Sequence, residues 1–360
     1  MADGSLLSSS TPVFRVDDAR EGGLARDLVR LEIDENTAGM KRLAARFTAW
    51  GPSVRDGEEG ELWFDRAVID FGKRLAVAIG ATGADRTIFE GVISALESDQ
   101  REGREPELVV FAEDDLMRLR LKRRFKTYAD VTDADIVRAI AADHGLTPDI
   151  DADGPAHPVV QQWNLSDLAF LRERARLLQA DLWALEGKLG FKTRDKRNGA
   201  ELTLVLGGNL LRLEARADLA HQRSEARVSG YDVDERGAID ETADASIAAA
   251  EAGDGQKGAE LLEQAFGAAT TFRAREAPVG ADAAQAWAKA ELLRRARRFV
   301  TLKGVTSGSP ELMVGGRISL QRVAKPFLGG GYYVTRVTHT YDRLDGHRTA
   351  FEAERATVAP

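Results

Sequence analysis

Residues 161–191, QQWNLSDLAFLRERARLLQADLWALEGKLGF, carry the reading that decides the fold. The stretch opens extended and then turns helical. Ser166 is placed to cap a helix and Asp167 suits its positive N-terminal dipole, while Leu168, Leu171, Ala175 and Leu178 recur at three- and four-residue spacing. The run that follows, LWALEGKLGFKT, reads as a hairpin turning at EGKLG. This is a small α/β unit.

On either side the period is that of strands. Residues 12–112 alternate in VFRVDD, LVRLEIDE, RLAARFTAW, RLAVAIGA, TIFEGVISALES and PELVVFAED, with turns such as RDGEEGE and GATGADR, and this predicts a first antiparallel β-barrel. Leu75, Val77 and Ile79 share one face, as do Phe89, Gly91, Ile93 and Ala95, and Gly91 marks a bend or a close backbone approach. Residues 113–200 form the α/β insertion, in which Ile136, Ile140 and Ala141 make one helical face between an N-cap at Thr132 or Asp133 and a stop at Gly145. Alternation returns over 201–236 and 300–356, predicting a second barrel split by an Ala-rich helical and loop excursion, 237–299, that ends in a helix over DAAQAWAKAELLRRARRF. Residues 1–11 read as a flexible N-terminus. No exact internal repeat is visible. The fold class is mainly β with an α+β insertion.

Composition narrows the partners. A chain of 360 residues with net charge −8 and mixed charges lacks the basic excess of nucleic-acid binding, and no nucleic-acid recognition is expected. There is no cysteine, which removes disulfides, thiolate metal sites and Cys nucleophiles. No signal peptide is recognisable in MADGSLLSSSTP and no apolar run is long enough to span a bilayer, so membrane insertion is not expected.

Each chemistry-bearing cluster has a structural competitor that fits better. His339 and His347, with Asp342 and Asp345, match no zinc spacing and sit in strand alternation and a turn. Residues 149–157, DIDADGPAH, begin like a calcium loop but lack the carboxylate at its twelfth position. Glu113, Asp114 and Asp115 fit capping at a strand-to-helix junction. The glycines of 328–331 are followed by no Lys-Ser/Thr and no helix, and the basic run from Arg118 is preceded by acids and poor in aromatics. No catalytic residue, cofactor or metal is assigned.

The order of segments resembles the tail-hub proteins of contractile injection machines: the late control D family of contractile phages and the hub portion of VgrG proteins. The resemblance rests on a glycine-flanked strand leading to Phe89-x-Gly91-x-Ile93, and on Gln162, Trp163, Ser166, Asp167, Phe170 and Leu171 in the helix segment. It continues in ARVSGYDVD, which is similar to the strand closing the first half of the second barrel, and in a closing hairpin with Gly-x-Tyr333, Val337-x-His and Thr-x-Phe351. It implies that Leu75, Val77, Ile79, Phe89, Gly91, Ile93, Trp163, Phe170, Leu171, Tyr333, Val337 and Phe351 are barrel or insert core. It further implies a structural, non-enzymatic homotrimer whose six barrels adapt a sixfold inner tube to a threefold spike. Its partners would be the inner tube protein, the spike and other baseplate proteins. The chain would be made in the cytoplasm and built into a phage tail or tail-like particle. VgrG chains continue into a needle whereas this one stops at ERATVAP, so a separate needle polypeptide is expected. Two other readings are a cell-wall-binding protein, since TDADIVRAIAADHGL is faintly LysM-like, and a carboxylate-dependent hydrolase.

Overall fold

The computed structural model describes residues 11–52, 57–80, 85–152, 154–197, 199–233, 235–248, 255–273, 278 and 280–359. Its first strand group contains β1 (Val13–Val16), helix α1 (Gly22–Asp27), β2 (Leu28–Asn36), β3 (Arg42–Thr48), β4 (Arg74–Ile79), β5 (Arg86–Asp99) and β6 (Glu107–Glu113). The pairing order is β2-β3-β6-β5-β4-β1, antiparallel throughout. Alternate residues of each strand turn inward, so that Leu31, Ile33, Leu43, Phe47, Val77 and Phe89 join one apolar core. Phe14 meets Phe47 edge to face at 5.4 Å. Leu75, Ile79, Gly91 and Ile93 are also buried. A methyl group on Gly91 would lie 2.3 Å from the Glu113 carbonyl oxygen and 2.7 Å from the Phe89 ring, so this close crossing requires glycine.

The inserted unit comprises α2 (Leu116–Arg120), β7 (Arg123–Val131), α3 (Asp133–Asp143), β8 (Thr147–Asp151), β9 (His157–Ser166), α4 (Asp167–Leu178), β10 (Ala180–Leu185) and β11 (Lys188–Thr193). β7 pairs with β9, and β8 and β10 flank β11. The sequence concealed a structural duplication here: β7-α3-β8 and β9-α4-β10 correspond at a shift of 34 positions, Thr132 to Ser166. Both caps accept a hydrogen bond from the backbone three residues on, Thr132 from Asp135 and Ser166 from Ala169. The backbone singularities repeat as well, with positive φ at Asp130 (49°) and Asn164 (47°) and again at Gly145 (67°) and Gln179 (54°). Ile136 and Val137 are buried, as are their counterparts Phe170 and Leu171. Few residue identities are shared because the two copies need only the same shape.

Trp163, expected in this core, is 67 % exposed. Alternation in β9 turns Val160 and Gln162 inward, and the Gln162 side chain donates to Asp167 Oδ1 (2.9 Å) and the Leu165 carbonyl (3.0 Å). A strand has only two faces, so fixing Gln162 inward puts Trp163 outside.

The remaining chain forms β12 (Glu201–Val205), β13 (Leu210–Ala217), β14 (Glu225–Asp232), β15 (Gly237–Asp244), α5 (Gly258–Phe266), β16 (Thr270–Arg273), α6 (Ala281–Arg297), β17 (Val300–Thr306), β18 (Arg317–Gln321), β19 (Gly329–Asp342) and β20 (Gly346–Arg355). Strands β13-β17-β20-β19 pair in that order, and β19 continues onto β2, joining both strand groups in one thirteen-stranded sheet; β12 pairs with β18, which pairs with β19. Tyr332, Val334, Val337, Phe351 and Leu302 fill the second core, and Tyr333 is buried beside it. β14, expected to close the first half of the second barrel, instead pairs with β15 and β16 in a separate three-stranded sheet. Its inward Ala226 and Val228 pack with Trp287, Ala284 and Ala288 of α6, and this local burial takes the strand away from the large sheet.

Candidate functional site

The clusters singled out by type prove to be structural in geometry. His339 and His347 do converge, Nδ1 to Nε2 at 3.2 Å, deep between β19 and β20 with Thr349 Oγ1 3.1 Å from His339. Burial pushes the His347 imidazole down to about 4, with Arg348 adding to it, and burial followed by His347 holds His339 well below the ordinary range. The pair is neutral. Asp342 does not join it: its Oδ1 accepts from the backbone N–H of Leu344 (2.9 Å) and Asp345 (2.8 Å) in the hairpin turn. Among the described residues no three His, Asp or Glu converge on a metal position.

Asp114 is a buried strap. Its carboxylate accepts from the backbone N–H of Lys41 (2.7 Å) and Leu116 (3.0 Å), and burial pushes it up to about 7 against those two bonds. Asp115 faces Arg74 at 3.4 Å and Glu113 faces Arg120 at 3.2 Å. Of the calcium-like run, Asp149 pairs with Lys192 (2.7 Å), Gly154 lies against Asp133, and Asp153 is outside the described residues. The glycines of 328–331 lead directly into and through the start of β19. Much of the basic run is neutralised locally, Arg124 by Asp143 (2.8 Å) and Asp167 (3.0 Å) and Lys126 by Asp143 (3.6 Å).

Two buried polar clusters were not foreseen. Asp133 and Asp167 each occupy the first position of a helix, where the dipole favours a carboxylate, and each is bound by the opposite half of the duplication. Arg174 Nε and His157 reach Asp133, the latter at 3.3 Å, while His144 (2.7 Å) and Arg124 (3.0 Å) reach Asp167. The second cluster joins the insert to the second strand group. Tyr333 is clamped between the guanidiniums of Arg194 and Arg317, 4.4 and 4.3 Å from its ring, and its hydroxyl donates to Asp181. Burial and the Asp181 charge push the hydroxyl up, so it remains a donor. Arg197 also binds Asp181 (3.2 Å) and stacks 4.1 Å over Trp183, while Arg194 reaches Glu354 at 2.5 Å. Only the positional fact that three cations follow β11 at its exit signals the joint.

What remains outward is the surface. Phe125 and Trp163 are direct cross-strand partners on the open face of β7 and β9, 77 % and 67 % exposed. Ala129, Val159, Thr127 and Gln161 continue that uncharged face. Among the described residues the site thus offers contact surfaces and internally bonded polar joints, in which the buried Arg194 Nε is left without a hydrogen-bond partner, with no assembled nucleophile, base and oxyanion set.

The comparisons with known proteins agree with that fold. A family model described as the Alg8 N-terminal domain matches residues 55–342. No curated protein matches the sequence. Among solved structures, the 43 kDa tail protein of prophage MuSo2 from Shewanella oneidensis superposes with a TM-score of 0.69 at 11% identity, over 96% of this chain and 98% of that one. A tail protein from Neisseria meningitidis MC58 gives 0.67 at 14% identity, over 96% of each chain. The E. coli c3393 protein, a type VI secretion component similar to the T4 tail proteins gp27 and gp5, gives 0.57 at 17% identity over 91% of this chain and 73% of that one. At such identities the likeness is one of fold.

Proposed function

The chain belongs to the Alg8 N-terminal domain family, and on the strength of its fold we propose that it is a structural baseplate hub of a phage tail or contractile injection system. The observation that carries this is the whole-length sharing of fold with the two tail proteins, 96% of this chain in both cases. In this reading three copies close a ring, each contributing its two strand groups, and the ring adapts a sixfold inner tube to a threefold spike. The unpaired edges at β12, at β13 and at the two-residue strand Ala19–Arg20 are covered by neighbouring copies, as exposed sheet edges require. The inner tube protein, the spike and further baseplate proteins are its partners. It works by binding rather than catalysis, which agrees with the local, structural bonding of the acidic and histidine clusters. It is assembled in the cytoplasm and then carried in the particle.

Light scattering of the purified chain, alone and with the spike protein of the same particle, tests the oligomeric part. A trimer is expected in at least the mixture. A monomer in both would contradict the ring.

A further inference from the structure

A concave site of about 470 Å³ lies where the end of α6 meets the ends of β13 and β17, lined by Arg216, Asp218, His221, Arg294, Arg295, Arg298 and Thr301. Four guanidiniums converge there on a protein whose net charge is −8. Their internal partners are fewer than they are. Arg216 binds Asp218 at 2.5 Å, while Arg294 and Arg295 share the single carboxylate of Glu291 at 2.7 and 2.8 Å. Arg298 is exposed and makes no ion pair among the described residues. The Arg295 side chain also reaches the His221 carbonyl (3.3 Å) and Thr271 Oγ1 (3.2 Å), so the cluster is held in place rather than splayed. Basic residues at a helix C-terminus complement the dipole of their own helix. That accounts for Arg294 and Arg295, but it gives no reason for Arg216, on a strand, to face the same hollow.

We propose that this hollow binds an acidic segment of a partner polypeptide, its Asp and Glu side chains taken one by one by Arg216, Arg294, Arg295 and Arg298. Guanidinium forks match carboxylates in bidentate geometry, and several presented together select a run of separate negative charges. A compact phosphate is a poorer occupant. The hollow of about 470 Å³ has room for several separate carboxylates, whereas a single phosphate would leave most of it empty. A nucleic-acid strand is a poorer occupant too, because no Phe, Tyr or Trp lines the hollow and the single imidazole of His221 is no platform for successive bases. The site rests on the guanidinium cluster alone and stands or falls independently of the hub reading.

The test is titration calorimetry of the full chain with the peptide acetyl-Glu-Asp-Glu-Asp-Glu-Asp-amide at low salt. Acetyl-Gln-Asn-Gln-Asn-Gln-Asn-amide, inorganic phosphate and a thymidine dodecanucleotide serve as the other arms. The acidic peptide is expected to bind, the neutral peptide not to, and added salt to weaken the complex as the Debye length shrinks to about 10 Å at 0.1 M. Arg298→Glu, unpaired and exposed, should weaken binding by about tenfold or more, as charge reversal at a close pair does, with an unchanged melting curve. Arg15→Glu, the same charge change on β1, should leave binding as it is. No binding of the acidic peptide overturns the proposal, and so does binding indifferent to both Arg298→Glu and Arg216→Glu. Tighter binding of phosphate or of the oligonucleotide through the same arginines would overturn it in favour of a phosphate site.

Discussion

Replacing Asp133 by alanine removes one carboxylate from the centre of the inserted unit, and the cost follows from what is left behind. Asp133 is wholly buried, and Arg174 and His157, 8 % and 5 % exposed, both turn to it. Deleting one member of a buried charge pair leaves the other desolvated and uncompensated, which costs about 3–5 kcal/mol. Asp133→Asn keeps an acceptor for Arg174 but loses the charge, and should fall between the wild type and the alanine variant. The exposed Asp135 of the capping box gives a scale: Asp135→Ala removes its bonds to Thr132 and a solvent-exposed pair with Arg138 (2.7 Å), together about 1 kcal/mol. The penalty also has a predicted pH dependence. Burial pushes the Asp133 carboxyl up, but the bonds from His157 and Arg174 outweigh it and set the native value below 3.8. A depressed carboxylate contributes stability that is present above its unfolded value and lost as pH falls through the native one. The gap between wild type and Asp133→Ala should therefore be full at neutral pH and narrow below about pH 4. Urea unfolding followed by tryptophan fluorescence reads it, since Trp163 and Trp183 both lie in this unit, with hydrogen exchange at α3 and α4 to localise the change. A cost under about 1 kcal/mol at neutral pH, or an alanine variant equal to the asparagine one, would refute the reasoning.

Phe89→Ala should cost about 3–5 kcal/mol because its ring is buried, while Trp163→Ala should cost well under 1 kcal/mol despite removing a larger ring; comparison of melts decides between them. The histidine pair should make the second strand group acid-sensitive. The native His347 value of about 4 lies below the ordinary 6.5, so stability present above pH 6.5 is lost as pH falls towards 4, by about 3 kcal/mol. His347→Gln, which cannot take a proton, should flatten that slope in acid unfolding curves. Asp114, raised to about 7, acts in the opposite direction, but it is common to both proteins and cancels in the difference.

Strand alternation made the first strand group legible: a period of two is visible without tertiary knowledge, and the faces of β4 and of β5 as far as Ile93 follow from it, but a bulge after Ile93 shifts the register, so Ala95, expected on the buried face, is exposed and Leu96 packs on the core instead. The helix opening at Ser166 was equally legible, because cap, dipole charge and apolar stripe agree. Trp163 was misplaced for a reason of the same kind. In a strand whose inward position is a hydrogen-bonded Gln162, hydrophobicity points to the wrong face. The duplication escaped notice since it is conserved in φ angles and burial, with Asp130 answering Asn164 and Gly145 answering Gln179, rather than in residue types. β14 has the same alternation wherever it pairs, so its sequence holds no record of which sheet it joins. The joint around Tyr333 depends on residues far apart in the chain, Asp181, Arg194 and Arg317, whose meeting only the fold determines.

The central claim is that the chain sits as a threefold hub between tube and spike. Electron cryo-microscopy of tail-like particles purified from cells making a tagged version of the chain tests it most directly. The account predicts tag density at the junction of inner tube and spike, in three copies, and no assembled particles when the chain is deleted. Particles that assemble without it, or tag density elsewhere on the tail, would contradict it.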